Sequence, residues 1–373
     1  MASQVELSVR PDARKPRPRA LSNWLFAVAA LVFLMVVVGG VTRLTESGLS
    51  IARWEPVTGA VPPIGEAAWQ AAFDAYRQTP QYQLVNRGMT LGEYKDIFFW
   101  EYVHRLLGRL IGLAFALPLA WFAWRRAIPA GYGRRLGALF GLGALQGAIG
   151  WWMVASGLVE RPEVSHIRLA IHLLAALLIF AAMIWVALDL RGLARDPAAG
   201  PARMPTLAIW TLSALALQIM FGAYVAGLNA GYAFNSWPKM AGEWFPSGTP
   251  VLEPLLRNLV DNPIIVQFVH RWLAWGVAAL AWGLAVTAWR RRLPVHAAAV
   301  AGAVFLQILL GILTLLSGVQ LWLAVSHQAM AALLLAATIA TAHRLGAGSR
   351  SSISQCQRAV APPSPATRPQ LDL

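Results

Sequence analysis

Eight apolar segments, each long enough to cross a lipid bilayer, constrain the fold of this 373-residue chain. A membrane-spanning helix needs about 20 consecutive apolar residues. Hydrophobic residues make up 57% of the chain and charged residues only 13%, which is unlike a water-soluble domain. Because the alternation typical of a membrane β-barrel is absent, we predict an all-α integral membrane protein. The eight segments lie near 22–41, 97–124, 134–156, 167–189, 205–228, 263–289, 296–318 and 321–343.

The formal net charge of +14 reports membrane topology rather than a nucleic-acid partner. Basic residues collect at alternate ends of the apolar segments, which is the positive-inside pattern with both termini in the cytoplasm. They are Arg10, Arg14, Lys15, Arg17, Arg19, Arg125, Arg126, Arg134, Arg135, Arg191, Arg195, Arg203, Arg290, Arg291 and Arg292.

The first apolar segment follows a basic arm, as a signal peptide would. Its apolar run is longer than a cleaved signal requires and no A-x-A-like site follows, so we expect a retained helix. A mitochondrial-type presequence is the alternative. The short basic arm and the loop patterns favour a bacterial plasma membrane over a mitochondrial inner membrane.

Two of the four outer loops are long, at about 42–96 and 229–262, and both are too apolar for disordered linkers. We expect them to fold down on the outer membrane surface. The single cysteine, Cys356, lies in the polar C-terminal tail. Neither a disulfide nor a cysteine-based metal site can therefore form within one chain.

The order of long and short outer loops repeats, which indicates an internal duplication. LQGAIGWWMVASGL at 145–158 aligns with LQILLGILTLLSGV at 306–319, and the two His-Arg segments align with each other. We predict two pseudo-symmetric four-helix bundles related by an axis along the membrane normal. The predicted units are a basic cytoplasmic arm at 1–21, an N-terminal half at 22–190, a cytoplasmic linker at 191–204, a C-terminal half at 205–344 and a flexible cytoplasmic tail at 345–373.

Four histidines fall at one depth, in the outer half of the predicted membrane region. Ionisable residues are costly inside a bilayer and by default mark function. Their duplicated arrangement favours a functional role over that of isolated, satisfied polar residues. They are His104, His172, His270 and His327.

The other three histidines lie at other depths. His296 is beside a cluster of arginines, and His343 ends the last segment at its inner side. His166 lies at the outer interface, six residues before His172 and on a different helix face, so we expect an interfacial residue and leave its role open.

Two histidines on facing helices of an apolar bundle suit haem, whose iron needs two axial imidazoles and whose ring needs an apolar slot. A bare zinc or iron ion would need further carboxylate or thiolate ligands. A small residue follows each histidine by four positions and so shares its helix face, which would let a flat ring approach the backbone. The alternative is ordinary small-residue packing between membrane helices. These residues are Gly108, Ala176, Ala274 and Ala331.

An arginine follows the first histidine of each half. Arg105 and Arg271 lie about 100° around the helix from the preceding histidine, so they cannot face the iron with it. They can pair with carboxylates at the edge of a macrocycle, where haem propionates are expected. Snorkelling of both side chains to the lipid headgroups is the alternative.

The halves differ three residues before the first histidine, where Glu101 in one corresponds to Gln267 in the other. A carboxylate beside a metal centre can move protons or stabilise a developing cation, whereas an amide cannot titrate. The first half is therefore the candidate reactive site and the second the candidate electron-transfer site. In the alternative, Glu101 simply pairs with an arginine.

Five motifs along the chain are GGVTRLTESGLSIARWEPVTGAVPP (39–63), EYKDIFFWEYVHRLLGRLIG (93–112), RLAIHL (168–173), GLNAGYAFNSWPKM (227–240) and QFVHR (267–271). Together they resemble the haem A synthase family, in particular its alphaproteobacterial and mitochondrial branch. The resemblance spans roughly residues 25–345. This chain has no cysteine pair in an outer loop, so no thiol-based step can be required.

The resemblance implies an oxidoreductase that oxidises the C8 methyl group of haem O to a formyl group by successive hydroxylations, giving haem A for cytochrome oxidase. It implies a substrate haem between His104 and His172 and a resident haem b between His270 and His327. Glu101 matches the family's acidic catalytic residue.

The implied partners are haem O and haem A, haem O synthase, oxidase assembly factors and an unidentified electron donor; the oligomeric state stays open. Two alternatives remain. One is a dihaem b-type electron-transfer cytochrome, and the other is a haem carrier or assembly factor without chemistry.

Overall fold

The computed structural model describes residues 16–53, 58–158 and 162–359, with side chains as far as 347. Eight of its helices are long and apolar enough to cross a membrane, and no strand occurs among the described residues, which confirms the predicted all-α membrane fold. The helices are α1 (Pro18–Leu44), α2 (Glu66–Arg77), α3 (Pro80–Leu84), α4 (Leu91–Trp124), α5 (Gly133–Ala155), α6 (His166–Arg195), α7 (Thr206–Gly227), α8 (Asn258–Asp261), α9 (Pro263–Arg290), α10 (Pro294–Leu316) and α11 (Leu321–Ala359).

The structure lengthens several predicted segments. Helix α4 begins at Leu91 rather than near 97, because Thr90 and Glu93 form a capping box ahead of the apolar run. Helix α11 continues to Ala359, through part of the tail predicted at 345–373, and the rest of that tail lies outside the described residues. Helix α1 starts within the predicted basic arm, of which residues 1–15 are likewise not described.

Helices α1, α6 and α11 form the centre of the molecule. Helix α1 contacts α4, α6 and α11, and half of its most apolar window is buried, compared with 6% for α5. In the second half, α9 packs between α7 and α10, and α10 packs on α11. The two halves meet through α6 with α7 and through α11 with α1 and α6. The central helices therefore hold the two four-helix groups together, and α5 and α10 present mainly apolar side chains outward.

The first long outer loop is folded rather than extended. Helix α2 brings Phe73 and Tyr76 against Tyr94 and Phe98 of α4, and the four rings form a buried aromatic cluster. Their burial extends the apolar core beyond the apolar run of α4 and fixes the loop over the outer end of that helix.

A polar network ties the inner ends of three membrane helices. Asp189 of α6 is buried, and its carboxylate accepts hydrogen bonds from Arg135 of α5 and from the backbone N–H of Ala202, both at 2.9 Å. His343 of α11 lies 2.9 Å from the same carboxylate through Nε2. The cluster links both halves and the segment between them, so a single carboxylate organises this side of the protein.

Replacing Asp189 by alanine leaves the Arg135 and His343 groups without their shared acceptor. Removing one partner of a buried charged group costs about 3 kcal/mol or more. We expect thermal unfolding in detergent to show a clearly lower Tm. Asp196→Ala is the control, because Asp196 is exposed and its carboxylate bonds only to the nearby Ala198 N–H. Equal Tm values for the two variants would contradict the structural role of Asp189.

Candidate functional site

Each of the four outer histidines packs against a glycine on the preceding membrane helix. A Cβ atom built on any of these glycines would lie 2.8–3.3 Å from an imidazole atom, closer than almost any real Cβ contact. The imidazoles therefore lie directly on backbone, and no larger residue fits without moving them. The pairs are His104 on α4 with Gly39 on α1, His172 on α6 with Gly150 on α5, His270 on α9 with Gly222 on α7, and His327 on α11 with Gly311 on α10.

A glutamine one turn before the glycine contacts the histidine in two of these pairs with the same geometry. The amide nitrogen of Gln146 lies 3.1 Å from Nδ1 of His172 and donates to its carbonyl oxygen at 2.9 Å. The amide nitrogen of Gln218 lies at the same two distances from His270. In both, the carboxamide faces the Nδ1 side of the ring and leaves the Nε2 side open.

The fourth pair uses the same residue type in a different way. The Nδ1 atom of His327 lies 3.1 Å from the backbone oxygen of Gln307, and the side-chain amide nitrogen of Gln307 lies 3.5 Å from Nε2. A carbonyl oxygen only accepts, so Nδ1 carries the proton and Nε2 keeps its lone pair. This is the form of histidine that binds a metal through Nε2.

The paired histidines of the second half have the spacing of two axial ligands. Imidazoles bound on opposite sides of one iron at about 2 Å have ring centres roughly 6.3 Å apart. The ring centres of His270 and His327 are 6.5 Å apart, with the ring planes 89° to each other. In the first half, α4 and α6, which carry His104 and His172, both pack on α1 and α5.

The donor set fits haem better than a bare ion. Within the described residues, no group of three or more His, Cys, Asp or Glu side chains could hold a metal. The imidazoles instead occur in pairs and pack on glycines. Beside them, the buried amide oxygens of Gln146, Gln218 and Gln307 have no hydrogen-bond partner. Each half would therefore offer two imidazole nitrogens, which suffice for a macrocycle that supplies the other four ligands.

Glu101 is a buried carboxylate whose acceptor positions are all in use. One oxygen accepts from the Ser50 hydroxyl and the Ile51 N–H, each at 2.7 Å. The other accepts from Nε and Nη2 of Arg105, at 3.0 and 2.6 Å. A carboxylate has about four lone-pair positions. The arginine pairing considered from the sequence is thus present in the structure, three residues from His104.

Both arginines hold the outer loops through backbone oxygens. Arg105 donates to the carbonyls of Ile51 and Arg53, at 2.9 and 3.1 Å. Arg271 donates to the carbonyls of Phe234 and Ser236, at 2.9 and 2.8 Å. The two long loops are thereby fixed to the helices that carry the first histidine of each half.

The second half keeps the arginine but loses the ion pair. Gln267 donates to the Phe234 carbonyl at 3.0 Å, and its own amide oxygen is buried without a partner. The Nε atom of Arg271 is also buried without a partner. Glu101 neutralises Arg105 in the first half. At the corresponding position of the second half, the guanidinium of Arg271 forms no ion pair within the described residues, and its Nε donor has no partner there.

The remaining histidines lie outside this constellation. His166 forms an ion-pair contact with Asp261 of α8 at 3.2 Å and an edge contact with Tyr224 of α7, so it joins the outer ends of the two halves. His343 belongs to the inner network with Asp189. His296 lies at the start of α10.

Sequence reasoning found the histidines but missed the residues that orient them. The signal is a repeated Gln-x-x-x-Gly pattern, which appears as QGAIG at 146–150, QIMFG at 218–222 and QILLG at 307–311. The copies at 146–150 and 307–311 lie in the aligned repeat segments, and the copy at 218–222 does not. Only all three copies together show that each one precedes a membrane helix that carries a histidine. The small residues one turn after the histidines were noticed instead.

The chain matches the COX15-CtaA family, described as a cytochrome oxidase assembly protein, over residues 22–339. It is 59% identical over 345 residues to a protein named Heme A synthase from Rhizorhabdus wittichii, covering 91% of this chain and 98% of that relative. Proteins of the same name from Sphingopyxis alaskensis and Novosphingobium aromaticivorans are each 51% identical, covering 95% and 93% of this chain and 99% of each relative. These matches confirm the family predicted from the loop motifs.

Gly311→Ala tests the glycine cradle. The added Cβ would meet His327 at 2.8 Å, so we expect the ring to move and haem retention in the second half to fall about tenfold or more. Haem content per purified protein and the low-spin absorption bands measure this loss. Gly302→Ala on the same helix adds its Cβ to open space and is the matched control. Unchanged haem retention in Gly311→Ala would contradict the ligand role of His327.

Proposed function

We propose, from the premise that this chain belongs to the COX15-CtaA family of cytochrome oxidase assembly proteins, that it is a haem A synthase. The reaction converts the C8 methyl group of haem O to a formyl group through successive hydroxylations, the second of which is followed by loss of water. Each hydroxylation is a two-electron oxidation of the substrate carbon, so each needs a co-reactant oxidant such as dioxygen, of which one atom enters the product and the other leaves as water after reduction by two electrons from the donor. The proposal is supported most directly by the two histidine pairs, of which only the first is accompanied by a buried carboxylate, Glu101.

The two halves would divide the work. In the N-terminal half, at 22–190, His104 and His172 would hold the iron of the substrate haem. In the C-terminal half, at 205–344, His270 and His327 would hold a resident haem b, and their 6.5 Å ring spacing fits that role. When bound, haem b supplies one-electron transfer. The imidazoles position it, and the apolar helix faces exclude water.

Glu101 would act on the substrate carbon chiefly through its charge. All four of its acceptor positions are occupied, so taking up a proton would require the loss of a bond to Ser50, Ile51 or Arg105. A fixed carboxylate in a poorly hydrated site stabilises positive charge that develops nearby, without reorganisation. The corresponding amide of Gln267 carries no charge, which agrees with electron transfer alone in the second half.

The arginines would bind the haem propionates from the loop side. Arg271 has a buried Nε donor without a partner, and Arg105 is held by Glu101 and loop carbonyls. A bound carboxylate would therefore meet the Arg271 donor directly. In the first half, a propionate would compete with Glu101 for Arg105. Weaker binding of the propionate suits a substrate haem that has to leave after conversion.

The setting would be the plasma membrane of a bacterium, with both termini in the cytoplasm. The described basic side chains at the linker and between α9 and α10 support that orientation, because they lie on the side opposite the histidines. Haem O is poorly soluble in water, so direct transfer from haem O synthase and onward to oxidase assembly factors follows from its chemistry. The electron donor would meet the second half.

Glu101→Gln tests the catalytic assignment. In cells that supply haem O, we expect wild-type protein to contain haem B and haem A, and the variant to retain haem B and accumulate haem O. The loss of transition-state charge stabilisation predicts a rate about 100-fold lower. Acid extraction and chromatography of the bound haems measure both quantities.

Asp96→Asn is the matched control, since it removes an exposed carboxylate from the same helix, α4. Haem A production at the wild-type rate by Glu101→Gln would refute the role of Glu101. Haem B alone in both proteins, in a host shown to contain haem O, would favour a dihaem electron-transfer cytochrome. Haem O bound by wild-type protein without conversion under reducing conditions would favour a carrier.

A further inference from the structure

One of the four histidines lacks the hydrogen-bonding support at Nδ1 that the other three have, from the side-chain amides of Gln146 and Gln218 and from the backbone oxygen of Gln307. Three of the helices that precede a histidine helix carry glutamine four residues before the cradle glycine, and α1 carries Met35 there. Among the described residues, no side chain or backbone group makes a hydrogen bond to the imidazole of His104. The Met35 methyl group lies against α4 one turn beyond His104, 3.3 Å from where a Cβ on Gly108 would stand.

The orientation of the ring differs as well. In the three supported pairs, the glycine faces the Cε1 and Nδ1 edge of the imidazole. Gly39 instead faces Nε2 and Cδ2 of His104, at 3.3 and 3.5 Å. Nε2 is thus the ring atom of His104 nearest to its glycine, whereas in the other three pairs Cε1 is nearest and Nε2 lies 3.5–3.8 Å from the built Cβ.

No nearby amide takes the place of the missing glutamine. The closest candidate, Gln328 of α11, contacts the neighbouring glycine, Gly40, and its amide nitrogen donates to the Val36 carbonyl at 2.7 Å. Its amide is therefore committed to the backbone of α1. The ring of His104 is therefore held by packing against Gly39, without a hydrogen bond from the described part of the chain.

We propose that His104 is the labile axial ligand through which the first half exchanges substrate and product. His104 is labile because Met35 stands where a glutamine would support its ring. Gln146, Gln218 and Gln307 are positioning residues that hold the other three histidines. This inference rests on the proposed function, since it concerns how haem O enters and haem A leaves the first site.

The physical basis is the control that an outer partner exerts over a metal ligand. A hydrogen-bond partner fixes the ring and raises its basicity, and losing it typically costs about 10- to 100-fold in affinity. For Gln146 and Gln218, the side-chain amide nitrogen lies 3.1 Å from Nδ1 of the histidine and is itself held by donation to the carbonyl oxygen of the same histidine at 2.9 Å, so it fixes the orientation of the ring. In the second half, both histidines have a hydrogen-bond partner, which suits a cofactor that stays bound. In the first half, His172 has one and His104 has none, which suits a haem that has to leave.

Met35→Gln restores the missing amide with a side chain of similar length. We expect haem O at the first site to dissociate about tenfold more slowly, measured by transfer to excess apomyoglobin in detergent. Its ferric spectrum should also shift from a high-spin fraction toward six-coordinate low-spin haem. Met35→Leu, which adds no amide, is the matched control and should keep wild-type dissociation and spin state.

The reverse exchange, Gln146→Met, guards against a variant that does not fold. It removes support from His172, so haem O should dissociate about tenfold faster while haem B of the second half stays bound. Wild-type dissociation rates and spectra in both Met35→Gln and Gln146→Met would overturn the inference. So would equal effects of Met35→Gln and Met35→Leu.

The two levels of the proposal fail in different ways. If haem O binds and is converted, but its dissociation rate does not depend on residues 35 and 146, only the labile-ligand inference is contradicted. A wild-type protein that takes up no haem O at the first site would sink the proposed function and the inference together.

Discussion

Polar groups inside a bilayer must find their partners within the protein, and this requirement organises the structure from one face to the other. At the inner side it gathers Arg135 and His343 around Asp189. At the outer side it pairs Arg105 with Glu101 and sends the remaining donors to loop carbonyls. The groups that remain incompletely satisfied within the described residues, such as three glutamine oxygens and Arg271 Nε, are concentrated around the histidines. These groups lie beside the residues that the proposed function assigns to haem binding.

The difference between the halves lies in a few side chains on a common plan. A carboxylate in the first half corresponds to an amide in the second, so one arginine is neutralised and the other is not. A methionine in the first half stands where the other three helices have glutamine. Both changes fall beside His104. The first also changes the loop contacts, because Glu101 accepts from Ser50 and Ile51 whereas Gln267 donates to the Phe234 carbonyl.

The sequence predicted what depends on composition and periodicity. The eight spans, the four histidines and the Glu101–Gln267 contrast all follow from patterns that a bilayer enforces. The start of α4 was missed because Glu93, Lys95 and Asp96 interrupt the apolar run, although a capping box begins the helix at Leu91. The loop-anchoring role of Arg105 and Arg271 could not be read from spacing, since their acceptors are backbone oxygens, which every residue type supplies.

The central position of α1 has a consequence for biogenesis. It is the first membrane helix to be synthesised, yet its partners α6 and α11 come much later in the chain, and α11 comes last. Until α11 has been synthesised, the face of α1 that it buries has to be covered by lipid or by insertion factors. If the second half holds haem as proposed, it would do so only after α11 has entered the membrane, because α11 carries His327.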